Sequence, residues 1–351
     1  MSECKTRIAV DAMGGDNAPD VLVEGSVAAL QNYPDVSIVL VGDSERINRA
    51  LDALRKKDGT SGNGAELPVN GDRLTIEHAD EVIDMHDAPA QAIRSKRNSS
   101  IVVANKLCKK GQADAIISAG STGAAMASSL LYLGRIPGVL RPAILAPFPS
   151  DENVVGVLDV GANTDCKPEH LYQFAVMASH YMSHVFGYKR PRIGLLNIGE
   201  ESTKGNDATI AAHQLLVDSG LNFIGNMEGR DIFKGKADVV VCDGFVGNVL
   251  LKFGESIFGF ITNNLKRRIQ GHPLRMAGAI LMKSSFAEIK EEMTSDTFGG
   301  APLLGVDGIS IICHGNSRPS AIMNAIRVAR QLVLEDINTQ IKQELEKQIT
   351  N

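Results

Sequence analysis

Short apolar runs alternate along the chain with longer stretches of helical periodicity, and this alternation is typical of a parallel sheet covered by helices. The apolar runs predict eight strands, near residues 6–11, 36–41, 113–118, 142–147, 154–159, 192–197, 238–242 and 308–313. The periodic stretches predict seven helices, near residues 19–31, 45–57, 98–110, 123–133, 168–186, 206–219 and 319–347. We therefore expect one α/β domain over residues 1–351, with a mostly parallel central sheet.

Glycine and small polar residues follow strand after strand. These turns lie at residues 11–16, 118–123, 159–163, 197–200, 243–248 and 314–316. In open α/β sheets, ligands bind beyond the carboxyl ends of the strands, where glycine lets backbone N–H groups approach an anion. One such turn is weak support, because it can need glycine for its geometry alone. Several turns at one sheet edge favour an anion site that includes Gly14, Gly15 and Asp16.

The segment Ser118-Ala-Gly-Ser-Thr-Gly-Ala124 places hydroxyls and N–H groups at the start of a predicted helix. One interpretation is a phosphate cradle formed by Ser121, Thr122 and Gly123. The other is an ordinary helix start, with Ser121 or Thr122 as the capping residue. We favour the cradle, because capping needs only one hydroxyl. Nucleotide binding has little support, since neither Gly-x4-Gly-Lys-Ser/Thr nor Gly-x-Gly-x-x-Gly after a strand occurs.

Lys204 lies on a polar turn after a predicted strand, seven residues beyond Asn197. A lysine is a flexible point charge that suits phosphate or a developing oxyanion. Most lysines are instead solvated surface residues. The position of Lys204 between glycines after a strand favours a function, and Asn197 is a substrate-site candidate on the same turn.

Further polar residues on the strand-end turns are candidates for the same site. They are Asp159, Asn163, Lys167, Asp243 and Asn248. Each could cap a helix instead, and for the two asparagines capping and ligand binding are equally good interpretations.

His314 and Arg135 complete the set of candidates. His314 could act as a general acid toward a leaving thiolate, although a buried structural histidine fits as well. Arg135 flanks a Pro/Gly turn and could contact phosphate or an acyl donor, or lie exposed on the surface.

Composition restricts the classes of function. The net charge of −5 argues against bulk attraction to nucleic acid, so an acidic partner would need a local basic patch. Five scattered cysteines without a Cys-x-x-Cys pair indicate reduced thiols in a cytosolic protein. The N-terminus lacks a signal-peptide core, and no run reaches the roughly 18 apolar residues of a membrane span. The His180/His184 pair has no accompanying carboxylate cluster, so a metal site is not expected.

Residues 249–290 differ from their surroundings. Ile257, Ile261, Leu265 and Ile269 form an apolar stripe, and the basic segment Lys266–Arg268 lies near its end. We predict an amphipathic helical excursion from the domain. It could pack on a dimer mate or on the sheet, lie on an anionic membrane surface or dock an acidic carrier protein, because amphipathicity alone does not separate these.

Several motifs together resemble the bacterial phosphate acyltransferase family of phospholipid synthesis. They are Ile8-Ala-Val-Asp-Ala-Met-Gly-Gly-Asp-Asn-Ala-Pro19, His78–Ile83, Ser118–Ala124, Gly134–Ile136, Asp159–Asn163, Lys167–His170, Lys204–Asn206, Asp243–Asn248 and His314–Gly315. The resemblance implies a three-layer α/β/α fold similar to phosphotransacetylases and isopropylmalate dehydrogenases. It also implies a homodimer without metal or nucleotide cofactor, which associates peripherally with the inner face of the cell membrane through residues 249–290.

The reaction implied by the resemblance is transfer of a fatty acyl group from acyl carrier protein to inorganic phosphate, with a membrane acyltransferase as a possible consumer of the product. Phosphate itself is the nucleophile, so no Ser-His-Asp triad is required. We expect the two glycine turns to hold phosphate, Lys204 to neutralise charge, and Asn163 and Asn248 to orient the carbonyl. An acyl-CoA-dependent phosphotransacylase, a metal- and NAD-dependent dehydrogenase and a non-catalytic binding module remain as alternatives.

Overall fold

The structure is a computed structural model of the chain, and it describes residues 6–58, 72–292 and 297–349. The eleven strands of this part of the chain are β1 (Thr6–Asp11), β2 (Val36–Gly42), β3 (Leu74–His78), β4 (Ala115–Ser118), β5 (Ala143–Pro149), β6 (Val154–Leu158), β7 (Ile193–Leu196), β8 (Phe223–Met227), β9 (Val239–Val241), β10 (Ala301–Leu304) and β11 (Ile309–Ile312).

Helices form most of the connections between these strands. They are α1 (Asp20–Asn32), α2 (Ser44–Asp58), α3 (Pro89–Ser95), α4 (Ser100–Lys109), α5 (Thr122–Tyr132), α6 (Pro168–Phe186), α7 (Asp207–Val217), α8 (Gly244–Ile269), α9 (Pro273–Leu281), α10 (Lys283–Glu292), α11 (Pro319–Leu334) and α12 (Ile337–Ile349).

The contacts divide the chain into two units. The first unit comprises Met1–Pro142, Val176–Arg190 and Phe298–Asn351, and the second comprises Ala143–Ala175 and Pro191–Thr297. Within the first unit the strand order is β3-β2-β1-β4-β11-β10, and every pairing is parallel except that of β10 with β11. Within the second unit the order is β5-β6-β9-β7-β8, and only β5 and β6 pair antiparallel.

The strands of the first unit are buried because helices cover both sides of the sheet. Ile8, Ala9 and Val10 in β1 are all fully buried, which explains the nearly continuous apolar run. Helices α1 and α11 contact each other and β1, while α4 contacts β1, β2 and β4 and packs on α5. The mixed, mostly parallel α/β architecture predicted from the sequence is therefore confirmed.

All eight predicted strands are present, but β3, β8 and β10 have no counterpart among the predictions. Strand β10 contains Pro302, which lacks the N–H that a ladder needs and therefore argues against a strand at the sequence level. Gly225 lies within β8 at a φ of 98°, so this strand is irregular as well as short.

The single helix predicted over residues 319–347 is wrong. The structure has two helices there, α11 and α12, which meet at Asp336. Asp336 has a φ of 48°, in the left-handed region, and this conformation ends a right-handed helix. Because aspartate tolerates that conformation better than most residues, the break carries no glycine or proline signal in the sequence.

The helical excursion begins earlier than predicted. Helix α8 starts at Gly244, five residues before the expected boundary, and continues to Ile269, where α9 and α10 follow. We call α8, α9 and α10 the helical arm. Its first helix contacts β5 and β6 of the same unit.

The helical arm presents many large apolar side chains to solvent. Among the described side chains, those more than a third exposed are Phe245, Val246, Val249, Phe253, Ile257, Phe260, Ile261, Leu265, Leu274, Met276, Ile280, Leu281, Met282, Phe286 and Ile289. Contrary to the sequence-based expectation, α8 is long and apolar enough to cross a membrane, because an 18-residue window averages a hydropathy of 1.3 despite its polar residues. Core helices of soluble proteins pass the same test, so this finding alone is weak support for a membrane contact.

Candidate functional site

Three turns of the first unit meet at one edge of its sheet. Strands β1, β4 and β11 are parallel neighbours, and Asp11, Ser118 and Ile312 lie opposite one another at their ends. The turns that follow are therefore adjacent. The N–H of Asp16 donates to the carbonyl of Gly315 at 2.8 Å, which joins the first turn to the third. The predicted convergence of these glycine turns is present within this unit.

Asp11 is the residue around which the first two turns are organised. Its Oδ2 accepts the hydroxyl of Ser118 at 2.7 Å, and its Oδ1 accepts the N–H of Met13 at 3.3 Å. The Ser118 Oγ in turn accepts the N–H of Gly120 at 3.1 Å. A chain of hydrogen bonds thus runs from the second turn through Ser118 to the buried carboxyl group of Asp11.

The two turns approach each other closely at Gly14. A Cβ atom at this position would lie 2.7 Å from both the backbone nitrogen of Gly120 and Oδ2 of Asp11. No real Cβ tolerates such contacts, and the Gly120 backbone cannot move away as a flexible side chain could. Gly15 follows with a φ of 105°, a conformation that favours glycine.

The start of α5 leaves N–H groups available. Ser121 is the N-cap residue, but its side chain makes no capping hydrogen bond, so the interpretation of an ordinarily capped helix is not what the structure shows. Among the described residues, the N–H groups of Ser121, Thr122 and Gly123 have no acceptor. An eleven-residue helix also carries partial positive charge at this end, so the arrangement suits an anion.

A small cavity lies beneath the first two turns, with room for about one water molecule. Its lining residues are Asp11, Gly14, Val82, Ile83, Ser100, Ile101, Ser118, Gly120, Ser121 and Ala124. The cavity is too small for phosphate. An anion at these turns would have to bind on their outer side, where Ser121 is half-buried and Thr122 is exposed.

Burial raises the pKa of the Asp11 carboxyl group, although hydrogen bonds from Ser100 and Ser118 partly oppose the shift. The folded chain therefore holds a proton at Asp11 up to a higher pH than the unfolded chain does. The contribution of this group to stability is full below the ordinary value of 3.8 and is lost as the pH rises through the raised pKa.

We expect Asp11→Asn to become more stable relative to the wild type as the pH rises, because asparagine has no charge to bury. Urea unfolding of both proteins from about pH 4 to 8 measures the difference in the free energy of unfolding. Asp16→Asn, at an exposed carboxyl group, is the control. A difference between Asp11→Asn and wild type that does not change with pH would contradict the raised pKa.

The turn after β6 in the second unit is organised differently. The buried carboxylate of Asp159 accepts the N–H groups of Gly161, Ala162 and Asn163 at 3.2, 3.0 and 2.7 Å. It also accepts the N–H of Ile144 at 3.0 Å and the Asn163 side-chain amide at 2.9 Å. Three N–H groups of this turn therefore donate to the Asp159 carboxylate and are not available to a ligand. We regard Asp159 as a residue that shapes the turn.

Asn248 lies beside this turn on the first turns of α8. Asp243 caps the helix by accepting the N–H of Val246 at 2.8 Å, so its side chain is used structurally. A Cβ atom at Gly161 would lie 3.7 Å from Cβ and Cγ of Asn248, which places the asparagine directly against the glycine. The Asn248 side chain is half-buried and makes no hydrogen bond to another described residue. The side-chain amide of Asn248 is therefore available to hydrogen-bond a ligand.

Lys204 is exposed on the turn between β7 and α7. The amide of Asn197 donates to the Lys204 carbonyl at 2.9 Å, so Asn197 shapes the turn from its base. The side chain of Asn206 accepts the N–H of Thr209 at 2.9 Å and caps α7. In the described part of the chain the Lys204 ammonium group forms no ion pair, so its positive charge is not neutralised by a neighbouring carboxylate.

The remaining candidates lie on the surface of their units. Arg135 donates to the carbonyl of Leu140 and is exposed. Lys167 is exposed as well, and its backbone N–H donates to Nδ1 of the buried His170 at 3.1 Å. His314 is exposed next to Gly315, so the interpretation of a buried histidine is wrong. Across the described residues no group of three or more His, Cys, Asp or Glu side chains could hold a metal ion.

Sequence reasoning missed the role of Asp11 and Ser118. The available signal was their shared position: each is the last residue of its strand, and the two strands are neighbours in a parallel sheet. A carboxylate and a hydroxyl at aligned strand ends can hydrogen-bond, but recognising this requires the strand order as well as the strand positions.

Comparison with known proteins agrees with this fold and adds the family. The family described as "Fatty acid synthesis protein" matches residues 6–340. A phosphate acyltransferase of Desulfitobacterium hafniense is 51% identical over 340 residues, covering 97% of each chain. One from Pelotomaculum thermopropionicum is 49% identical over 340 residues, covering 96% of this chain and 95% of the relative.

Solved structures resemble the chain in fold. A phosphotransacetylase from Streptococcus pyogenes has a TM-score of 0.61 at 15% identity and covers 94% of both chains. The EutD phosphotransacetylase from Staphylococcus aureus has a TM-score of 0.57 at 15% identity, covering 93% of this chain and 94% of that one. These likenesses show the fold alone, because the sequence identity is only 15%. The relatives above are 51% and 49% identical over nearly the whole chain, and this identity shows the family. The chain therefore belongs to the fatty acid synthesis protein family that includes the phosphate acyltransferases, and it is an acyltransferase.

Proposed function

We propose that the chain reversibly transfers a long-chain fatty acyl group from acyl carrier protein to inorganic phosphate, giving an acyl phosphate for glycerophospholipid synthesis. The observation that carries the proposal is the start of α5, where three adjacent N–H groups have no acceptor among the described residues. A tetrahedral anion fits such a helix start. In a family of phosphate acyltransferases, the anion with a chemical role is phosphate.

In the proposed reaction a phosphate oxygen attacks the carbonyl carbon of the thioester and forms a new C–O bond. The carbonyl oxygen carries negative charge until the C–S bond breaks and the carrier thiolate leaves. The N–H groups of Ser121 and Gly123 hold the phosphate, with the backbone of Gly15 beside them. Thus these turns position the nucleophile, and no covalent enzyme intermediate is formed.

Three further side chains are proposed to act on charge and orientation. Lys204 neutralises the phosphate or the oxyanion, and the amide of Asn248 orients the carbonyl. Asn163 contributes less through its side chain, because that amide already donates to Asp159. His314 of the first unit can protonate the leaving thiolate, but the gain is modest because a thiol with a pKa near 8.5 leaves readily.

We further propose that the protein is a cytoplasmic homodimer that associates peripherally with the inner face of the cell membrane. The exposed apolar side chains of the helical arm and the basic residues Lys266, Arg267 and Arg268 support this proposal. Apolar residues beside lysine and arginine are suited to the boundary of an anionic bilayer. A membrane acyltransferase would then receive the acyl phosphate where it is made.

Purified protein mixed with palmitoyl-acyl carrier protein and phosphate tests the function. We expect free thiol and acyl phosphate to appear in equal amounts, and no thiol release when phosphate is omitted. Palmitoyl-CoA as the donor provides the comparison. Faster turnover of the CoA thioester would identify an acyl-CoA phosphotransacylase, and carrier binding without thiol release would identify a binding module.

A further inference from the structure

Three cations form a patch on the first unit, with one in the last turn of α3, one between α3 and α4, and one in the last turn of α4. We call Arg94, Arg97 and Lys106 the cationic patch. The Arg97 Nε donates to the Arg94 carbonyl at 3.2 Å, and the Lys106 ammonium group donates to the Arg97 carbonyl at 2.6 Å. These contacts place the Arg97 side chain against the backbone of Arg94, and the Lys106 side chain against the backbone of Arg97. On a chain with a net charge of −5, such a local cluster is the feature that attracts an acidic partner.

The acidic residues of the same segment do not neutralise the patch. Asp87 pairs with Lys96 at 2.5 Å, and the hydrogen bond from Lys96 lowers the pKa of that carboxyl group. Asp80 and Glu81 instead accept hydrogen bonds from Asn98. Within the described residues no carboxylate forms an ion pair with any member of the cationic patch, so its charges remain available to a partner.

The cationic patch is adjacent to the proposed phosphate turn. Pro89, the first residue of α3, contacts Gly123, since a Cβ atom at Gly123 would lie 2.7 Å from Cγ of Pro89. Arg94 is five residues further along α3, roughly 8 Å at the helical rise of 1.5 Å per residue. A shallow open depression at Arg94 is lined by Ala90, Gln91 and Ser95. A partner held at the patch would therefore lie close to the start of α5.

The patch also has a small apolar element. Lys106 lies over the ring of Tyr132 at 5.7 Å, and the neighbouring Leu131 is 57% exposed. A cluster of cations with one apolar contact suits the acidic, amphipathic helix of a small protein better than a bilayer. A bilayer contact needs a broad apolar face, and the helical arm of the second unit has one.

We propose that the cationic patch is the docking surface for the acidic carrier protein that delivers the acyl thioester. The proposal rests on the proposed function for the identity of the partner. Docking at this surface places the carrier near the phosphate turn, from which a flexible prosthetic arm can deliver its thioester. Charge complementarity speeds the encounter and makes it sensitive to salt.

Binding of the carrier protein tests this docking surface without requiring turnover. The probe is carrier protein bearing a palmitoyl amide in place of the thioester, so that no transfer occurs. We expect the double variant Arg94→Glu/Arg97→Glu to bind the probe about tenfold or more weakly at low salt. Its KM for phosphate and its kcat with saturating palmitoyl-carrier protein should stay within about twofold of wild type. Arg94→Gln/Arg97→Gln is the milder variant if the charge reversal lowers the melting temperature.

Lys266→Glu/Arg267→Glu at the end of α8 is the matched control. It should bind the probe like the wild type and bind phosphatidylglycerol vesicles more weakly. Equal binding of the probe by the patch variants and the wild type overturns the proposal, and so does loss of vesicle binding by the patch variants instead. A wild type that binds the probe through the patch but releases no thiol from the thioester would contradict the proposed function and leave the docking surface supported.

Discussion

Replacement of Lys204 by alanine is expected to lower turnover of palmitoyl-carrier protein about 100-fold or more, because a preorganised charge on a developing oxyanion is worth roughly that factor. The structure explains why the loss should be confined to catalysis. The Lys204 side chain is exposed and pairs with no carboxylate in the described part of the chain, so its removal breaks no ion pair there. Initial rates of thiol release and acyl phosphate formation measure the effect.

Two further variants test whether the effect depends on the position of the lysine and on the geometry of its charge. Lys189→Ala removes another exposed lysine and should leave the rate within about twofold of wild type. Lys204→Arg retains the positive charge but changes its geometry, so we expect partial activity. Near-normal acyl phosphate production by Lys204→Ala, with an unchanged melting temperature, would remove Lys204 from the mechanism.

Gly14→Ala is expected to raise the KM for phosphate about 10- to 100-fold, the range expected when hydrogen bonds to a charged ligand are lost. The new Cβ would lie 2.7 Å from the Gly120 backbone nitrogen, so the first two turns must separate. That separation disturbs Ser118 and the start of α5, where the phosphate-binding N–H groups lie. Because the thioester is held elsewhere, the KM for palmitoyl-carrier protein should change much less.

Gly229→Ala provides the control for this substitution. A Cβ at Gly229 would meet no atom within 4 Å, and its φ lies outside the left-handed region, so phosphate affinity and stability should be preserved. If Gly14→Ala raises both KM values equally, the change is a general loss of structure. If it alters neither, the close approach of the two turns has no part in phosphate binding.

The convergence of glycine turns could be predicted because it follows from strand type. Parallel strands end at the same edge, so the turns after β1 and β4 had to lie at one edge of the sheet once both strands were assigned, whereas the strand order that makes them neighbours came from the structure. The sequence also favoured a phosphate-binding role for Ser121 and Thr122 over simple helix capping, because capping needs only one hydroxyl and this turn has two. The structure supports that interpretation, because Ser121 makes no capping hydrogen bond.

The distribution of hydrogen bonds could not be predicted. The turns after β1 and β6 look alike as sequences, yet Asp159 accepts three N–H groups of its own turn, whereas Asp11 accepts the hydroxyl of Ser118 from the neighbouring strand. Which oxygen meets which N–H depends on backbone angles that a residue pattern does not specify. For the same reason Asn163, whose amide is already used by Asp159, looked equivalent to Asn248 in the sequence.

The cationic patch could not be predicted from the sequence either. Arg94, Lys96 and Arg97 are close in sequence to four acidic residues, so the segment looks nearly balanced in charge. Only the pairing of Asp87 with Lys96, and of Asp80 and Glu81 with Asn98, shows that the arginines are left without a carboxylate partner among the described residues. Lys106 joins the patch from the next helix because its side chain reaches back to Arg97.

A crystal of the protein soaked in arsenate, with the anomalous signal of arsenic used to locate the anion, tests the central claim most directly. Arsenate has the shape and charge of phosphate, and acyl arsenates hydrolyse rather than accumulate. The account predicts a peak at the start of α5, within hydrogen-bond distance of the N–H groups of Ser121, Thr122 and Gly123. Arsenic bound elsewhere in a protein that still turns over phosphate, with the start of α5 unoccupied, would contradict it.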